Sequence, residues 1–105
     1  MPLPDDGKRR YEVHLSRALA NRMRQIQQQA TREGRGTVVL AAFRQIVQRL
    51  QSDPLDFGEP LYRLQALRLQ IRHGAVLPLF VDFAVSEDRP LVFIKGVRLL
   101  TEQGP

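Results

Sequence analysis

Hydrophobic residues recur at intervals of three and four near the start of the chain. The members of this series are Leu15, Leu19, Met23, Ile26 and Ala30. Arginine and glutamine fill most of the positions between them, and Ser16 is a residue type that favours helix N-caps. The pattern predicts an amphipathic helix over about residues 17–32.

A second series with the same period follows Gly34 and Gly36, which are typical of a helix end. Its apolar members are Val39, Phe43, Ile46, Val47 and Leu50. Thr37 is the predicted N-cap of this helix. Pro54 disfavours helical geometry in the residue before it, so the helix is expected to stop at residues 52–54. The short connection predicts that the two helices form an antiparallel hairpin.

A period of two, typical of half-buried strands, appears before and after the hairpin. Residues 11–15 alternate apolar and polar side chains, which predicts a short first strand. Residues 53–60 are rich in turn formers, and beyond them Leu67, Leu69 and Ile71 alternate with polar residues. These three residues predict the strand that opens the second half of the fold.

The rest of the second half predicts two further strands. His73 and Gly74 form the expected turn after the first of the three strands. Residues 77–85 carry an apolar face, with Phe80 and Ala84 making the other face partly apolar as well. A connection at residues 86–90 then leads into a last strand at residues 91–94.

These elements predict one α+β domain of 105 residues. The expected architecture is a short N-terminal strand, an antiparallel helical hairpin and a three-stranded antiparallel meander, with both helices packed on one face of the sheet. Residues 1–10 are expected to be a flexible lead-in, residues 11–100 the domain, and residues 101–105 a flexible tail. The other face of the sheet is expected to be at least partly solvated.

Basic residues are expected on that uncovered face. Arg68, Gln70 and Arg72 alternate with the apolar residues of their predicted strand, with about 6.5–7 Å between successive members, a spacing that suits contacts to phosphate groups. Lys95 and Arg98 join them if the strands pair as a meander. The nucleic-acid-binding candidates are therefore Arg68, Arg72, Lys95 and Arg98. The alternative is a solvated basic strand face with no ligand.

Residue types that carry other chemistry are scarce. The chain has no cysteine, which excludes disulfides, thiol nucleophiles and thiolate zinc sites. His14 and His73 have no fixed spacing to carboxylates, so neither a metal nor a small-molecule cofactor is expected. His73 beside Arg72 is a candidate general acid or base, or else an incidental turn residue. No phosphate-binding loop or hydrolase nucleophile motif is present.

The net charge of +5 lies in the first half of the chain. Residues 1–52 hold ten basic and four acidic side chains, whereas residues 53–105 hold six and seven. No apolar run approaches the roughly 18 residues needed to cross a bilayer, and no apolar stretch follows the charged start of the chain. We therefore expect a cytoplasmic protein without a membrane anchor or secretory signal.

The arrangement resembles the RelE/ParE superfamily of toxins from bacterial type II toxin–antitoxin systems. The resemblance runs from Tyr11 to Arg98 and rests on the basic helical hairpin ending at residues 50–54, the arginine-rich strand at residues 68–74, and residues 91–98. It implies a sheet face that contacts RNA on the ribosome or a protein target such as gyrase, and a cognate antitoxin peptide that can cover the chain.

The resemblance also implies catalytic candidates. In family members that cleave RNA, basic side chains on the sheet stabilise the scissile phosphate. Carried across, Arg72, His73 and Arg98 would form such a site, with Lys95 as a basic neighbour. The chain departs from the family in having Ala75 after Gly74 instead of an arginine, and in lacking a C-terminal tyrosine.

The leading hypothesis is therefore a RelE/ParE-like toxin-family protein that acts by binding, with endoribonuclease activity left open. The alternative is a non-catalytic module that binds nucleic acid or protein and merely shares the fold.

Overall fold

Two helices pack on one face of a five-stranded sheet. A computed structural model describes residues 10–100. Its elements are β1 (Glu12–His14), α1 (Arg17–Arg32), α2 (Gly36–Ser52), β2 (Glu59–Leu64), β3 (Leu69–Val76), β4 (Leu79–Ser86) and β5 (Leu91–Leu99). The predicted α+β class and the helical hairpin are confirmed. The predicted lead-in, apart from Arg10, and the predicted tail lie outside the described residues.

Helix α1 begins and ends where the hydrophobic pattern predicts. The Ser16 side chain is its N-cap and accepts a hydrogen bond from the Leu19 amide at 3.1 Å. Four of the five predicted apolar residues are buried against the sheet: Leu19, Met23, Ile26 and Ala30. The fifth, Leu15, precedes the helix and is 38% exposed, so it lies outside the core.

Helix α2 starts closer to α1 than predicted. Its N-cap residue is Arg35, which makes no side-chain capping bond, so the prediction that Thr37 caps this helix is wrong. A Cβ atom built on Gly36 would lie 2.6 Å from the Thr31 hydroxyl. The glycine therefore lets the second helix begin directly against the first, and the Gln27 amide donates to the Gly36 carbonyl across this junction at 2.9 Å. The predicted end before Pro54 is confirmed.

The sheet has the order β1-β5-β4-β3-β2. Strand β1 pairs with β5 in parallel and every other pair is antiparallel, so the sheet is mixed. The prediction of a three-stranded meander is wrong because β2 adds a fourth strand. The sequence pattern hid it because Gly58 and Pro60 signal turns, and because a register shift between Pro60 and Tyr62 breaks the alternation.

The predicted turn at His73 and Gly74 is also wrong. Both residues lie inside β3, and the chain turns at Leu77 and Pro78 instead. Gly74 is needed for space rather than for a turn, because a Cβ atom there would lie 2.8 Å from two carbon atoms of the Phe57 ring. The glycine thus marks a close approach between a loop and the sheet.

The hydrophobic core fills the space between the hairpin and the sheet. The buried sheet residues on this side are Leu79, Val81, Phe83, Val85, Val92, Ile94 and Val97. Phe57, from the loop between α2 and β2, completes the core by stacking on Phe83 with 5.7 Å between ring centroids. Within residues 10–100 no helix is long and apolar enough to cross a membrane.

Two glycines in the left-handed region offer a matched test of this packing. Gly58 has φ +71° and Gly34 has φ +77°. A Cβ atom at Gly58 would overlap the His73 carbonyl, whereas at Gly34 it would meet nothing within 4 Å. Gly34→Ala should therefore cost only the backbone strain, about 1 kcal/mol of unfolding free energy. Gly58→Ala should cost more than about 2 kcal/mol because the backbone of β3 must move as well.

Urea unfolding of the two variants and the wild type gives this comparison. Equal losses for Gly34→Ala and Gly58→Ala would contradict the close approach of the loop to β3.

Candidate binding face of the sheet

The register of β3 decides which of its side chains the helices cover. Arg72 lies opposite Phe83, a core residue, whereas Ile71 lies opposite Ala84. Because side chains alternate along a strand, Gln70, Arg72 and Gly74 face the hairpin, and Leu69, Ile71 and His73 face the opposite side. The prediction that Arg72 lies on the uncovered face is wrong.

Arg72 is buried under the loop that leads into β2. Its side chain is 7% exposed. The guanidinium donates to the Phe57 carbonyl at 3.3 Å, the Gly58 carbonyl at 3.2 Å and the Gln70 side-chain oxygen at 3.3 Å. No carboxylate among the described residues forms a salt bridge with it. The arginine therefore fastens the loop to β3, and its charge is withdrawn from the uncovered face.

Arg68 is also not on the uncovered face of a strand. Strand β3 begins at Leu69, and Arg68 lies in the preceding turn with φ +54°. Its guanidinium lies 3.7 Å from the Asp88 carboxylate. The sequence pattern predicts a strand at Arg68 because the alternation of Leu67, Leu69 and Ile71 continues across the turn.

The other predicted site residues do share the uncovered face. His73 lies opposite Asp82. The Asp82 carboxylate lies beside Gly96 on β5, and a Cβ atom built on Gly96 would lie 3.6 Å from its Oδ2 atom. Arg98 stacks its guanidinium on Phe80, 5.3 Å from the ring centroid. Lys95 is exposed at the register shift in β5. The structure thus separates Arg72 from His73 and Arg98, and the binding or catalytic roles of all these residues stay predictions.

Apolar side chains cross the middle of the uncovered face. One row runs through four neighbouring strands by direct pairing, from Tyr62 to Ile71, Ala84 and Phe93. Leu64 and Leu69 form a second paired row beside it. We call these six residues the apolar band. Alternation had indicated part of it through Ala84, but Tyr62 and Leu64 were missed with the strand that carries them.

The band ends at β1 in a shallow depression of about 490 Å³. Its lining includes Leu69, Ala84, Phe93, Lys95 and His14. The His14 ring stacks on Phe93 with 5.6 Å between centroids, and its Nε2 atom lies 3.2 Å from the Glu12 carboxylate. His14 therefore has partners that its position in the sequence did not reveal. Within residues 10–100, no three His, Asp or Glu side chains are grouped to hold a metal ion.

An ion pair ties β2, the edge strand beside the band, to the end of β4. Arg63 Nε and Nη2 donate to the two carboxylate oxygens of Glu87 at 2.6 and 2.8 Å. The hydrogen bonds from Arg63 hold the pKa of Glu87 below its ordinary value, and the same contact raises the pKa of Arg63. This bidentate contact supports the register of the strand that carries Tyr62 and Leu64.

Comparisons with known proteins assign the chain to no family. The chain matches no known family profile, no curated protein and no solved structure.

The Arg63–Glu87 contact predicts a pH-dependent contribution to stability. Because folding lowers the pKa of Glu87, the contact contributes above the ordinary value of 4.5 and is lost as the pH falls through the lowered pKa. Glu87→Gln should therefore reduce the free energy of unfolding at pH 7. The difference from wild type should shrink and disappear in acid.

Urea unfolding between pH 7 and pH 2 measures this difference. Glu59→Gln is the matched control, since Glu59 is exposed on β2 and forms no salt bridge with the other described residues. If the difference in unfolding free energy between wild type and Glu87→Gln stays constant into acid, packing of the side chain, rather than its charge, causes the loss of stability.

Proposed function

We propose that this chain is a RelE/ParE-like protein of a bacterial toxin–antitoxin system, and that it acts by binding a protein segment on the uncovered face of its sheet. Two features support the proposal. The order of strand, helical hairpin and antiparallel meander agrees with the architecture that the family resemblance implies. The hairpin also covers one face of the sheet and leaves the other free for a partner.

The apolar band is the observation that carries this proposal. Tyr62 is 59% exposed and Leu64 37% exposed, and they pair with Ile71 and Leu69, whereas Ile71 and Ala84 in the middle of the band are buried, at 5% and 1%. The exposed apolar surface of the band therefore lies at its β2 end, and an exposed apolar patch of this kind favours contact with another polypeptide. The depression beside His14 and Phe93 extends the same surface towards β1.

The charges on this face favour a protein over RNA. Among residues 10–100, Lys95 and Arg98 are the lysine and arginine side chains on this face, while the pairing places Glu12, Glu59 and Asp82 on the same side. Three carboxylates outnumber two cations, so the face does not attract a phosphate backbone strongly. The two arginines expected to supply more positive charge lie elsewhere: Arg68 beside Asp88 and Arg72 under its loop.

The same arrangement weakens the alternative of an endoribonuclease. Electrostatic catalysis of phosphodiester cleavage needs cations aimed at the reacting phosphate. His73 and Arg98 remain accessible from the uncovered face, but the guanidinium of Arg72 is turned towards the helices. Binding without cleavage is therefore the function that the geometry supports best.

The test combines growth with partner binding. We expect expression of the chain in bacteria to slow growth, and co-expression of the adjacent gene product to relieve the effect and to co-purify with the chain. Leu64→Gln removes exposed apolar surface from the band without changing the charge. Losing one buried leucine contact should weaken partner binding about tenfold or more.

Leu40→Gln is the matched control. Leu40 is 39% exposed, close to the 37% of Leu64, but it lies on α2 rather than on the sheet. Circular dichroism and thermal unfolding verify that both variants fold. No growth effect and no binding of the neighbouring product would contradict the toxin proposal, and equal weakening by both variants would contradict the apolar band. If the purified chain cleaves RNA and Arg98→Ala abolishes the cleavage, the chain acts by catalysis rather than by binding alone.

A further inference from the structure

The helical hairpin carries a concentration of positive charge that the proposed function does not use. Residues 17–52 hold seven arginines and a single acidic residue, Glu33. Two of the arginines are ion-paired, Arg35 with Glu33 at 2.8 Å and Arg49 with Asp53 at 3.0 Å. The other five, Arg17, Arg22, Arg24, Arg32 and Arg44, are exposed and form no salt bridge within residues 10–100.

Three of these five arginines are aligned along α1. The buried face of that helix is made by Leu19, Met23, Ile26 and Ala30. At 100° per residue, Arg17, Arg24 and Arg32 fall on the opposite side, which faces away from the sheet. We call these three residues the arginine stripe. Asn21 and Gln28 lie between them on the same exposed side.

The distribution of charge on α1 lowers the stability of the isolated protein. The first turn of the helix holds Arg17 and no acidic residue, although the positive end of the helix dipole favours a carboxylate there. The helix contains no acidic side chain at all, so no glutamate or aspartate three or four residues away offsets any arginine. A polyanion bound along the stripe would remove this repulsion.

We propose that the arginine stripe binds the phosphate backbone of duplex DNA, with α1 lying across the major groove. Neighbouring arginines of the stripe are seven and eight residues apart, which corresponds to about 10.5 and 12 Å along the helix. This spacing matches the major groove of B-form DNA, which is about 12 Å wide, so the arginines reach the phosphates on both sides of it. The deep, narrow major groove of duplex RNA does not admit a helix in this way.

The side chains between the arginines suit the floor of the groove. Gln28 carries an amide that donates and accepts hydrogen bonds, as adenine edges require in the major groove. The Asn21 amide oxygen accepts a hydrogen bond from Arg24 Nη1 at 2.7 Å, which leaves the Asn21 amide nitrogen to donate to a base edge. The stripe faces away from the sheet, on the other side of the molecule from the apolar band. DNA and a protein segment can therefore bind at the same time, and this inference does not depend on the proposed function.

The test measures binding of the full chain to a fluorescently labelled DNA duplex of mixed sequence by anisotropy, over a series of salt concentrations. Arg24→Gln/Arg32→Gln should raise the Kd roughly tenfold at low salt. It should also reduce the slope of log K against log salt by about 1.8, the value for two lost phosphate contacts. Arg68→Gln/Arg89→Gln is the matched control, since it lowers the net charge by the same amount outside the hairpin and should leave the Kd within about twofold.

Each outcome bears on the proposal. Equal weakening by the two double variants would show that net charge alone acts, and would overturn the stripe as a site. Absence of binding by the wild-type chain at low salt would overturn it as well. Equal or tighter binding to an RNA duplex of the same sequence would overturn the assignment to DNA. Leu64→Gln should bind DNA like wild type, which keeps this result separate from the test of the apolar band.

Discussion

The contact between the Phe57 ring and Gly74 determines which side of β3 faces the helices. The ring occupies space that any side chain at position 74 would fill, and it stacks on Phe83 in the core. Arg72 strengthens the same contact by donating to the carbonyls of Phe57 and Gly58. A shift of β3 by one residue would bring the side chain of His73 or Ala75 under the ring, so the alternate register is excluded sterically.

This register divides the surface of the protein into two chemically different sides. With Gln70, Arg72 and Gly74 turned inward, β3 contributes Leu69 and Ile71 to the uncovered face, where neighbouring strands add further apolar residues. The positive charge of the chain is left on the hairpin, on the other side of the sheet. A protein segment and a polyanion would therefore bind at separate places, each suited to its own chemistry.

The helices were predictable from the sequence because their apolar residues recur with one period and their ends carry local signals. Ser16 and Pro54 act on their immediate neighbours, and both mark real helix boundaries. The core residues of β4 were predictable because Leu79, Val81, Phe83 and Val85 form one wholly apolar face, whereas the other face contains Asp82.

The side of β3 that faces the helices was not predictable, because it depends on the contact between Phe57 and Gly74, which lie 17 positions apart. Alternation of Leu69 and Ile71 with Gln70 and Arg72 is the same whichever side is covered. The sequence alone therefore assigns Leu69 and Ile71 to the side of the helices, and only the contact of Phe57 with Gly74 reverses that assignment. Strand β2 was hidden by Gly58 directly before it, by Pro60 and by its register shift, and the apolar band that depends on it was missed as a consequence.

Nuclear Overhauser effects between assigned side chains measure directly which side chains of β3 point towards the helices. We expect contacts from the Ile71 methyl groups to the Tyr62 ring and from the Arg72 methylene protons to the Phe83 ring, because these residues are paired across neighbouring strands. The opposite pattern, with Ile71 against Phe83 and Arg72 on the same side as Tyr62, would contradict it. That result would place Arg72 on the uncovered face.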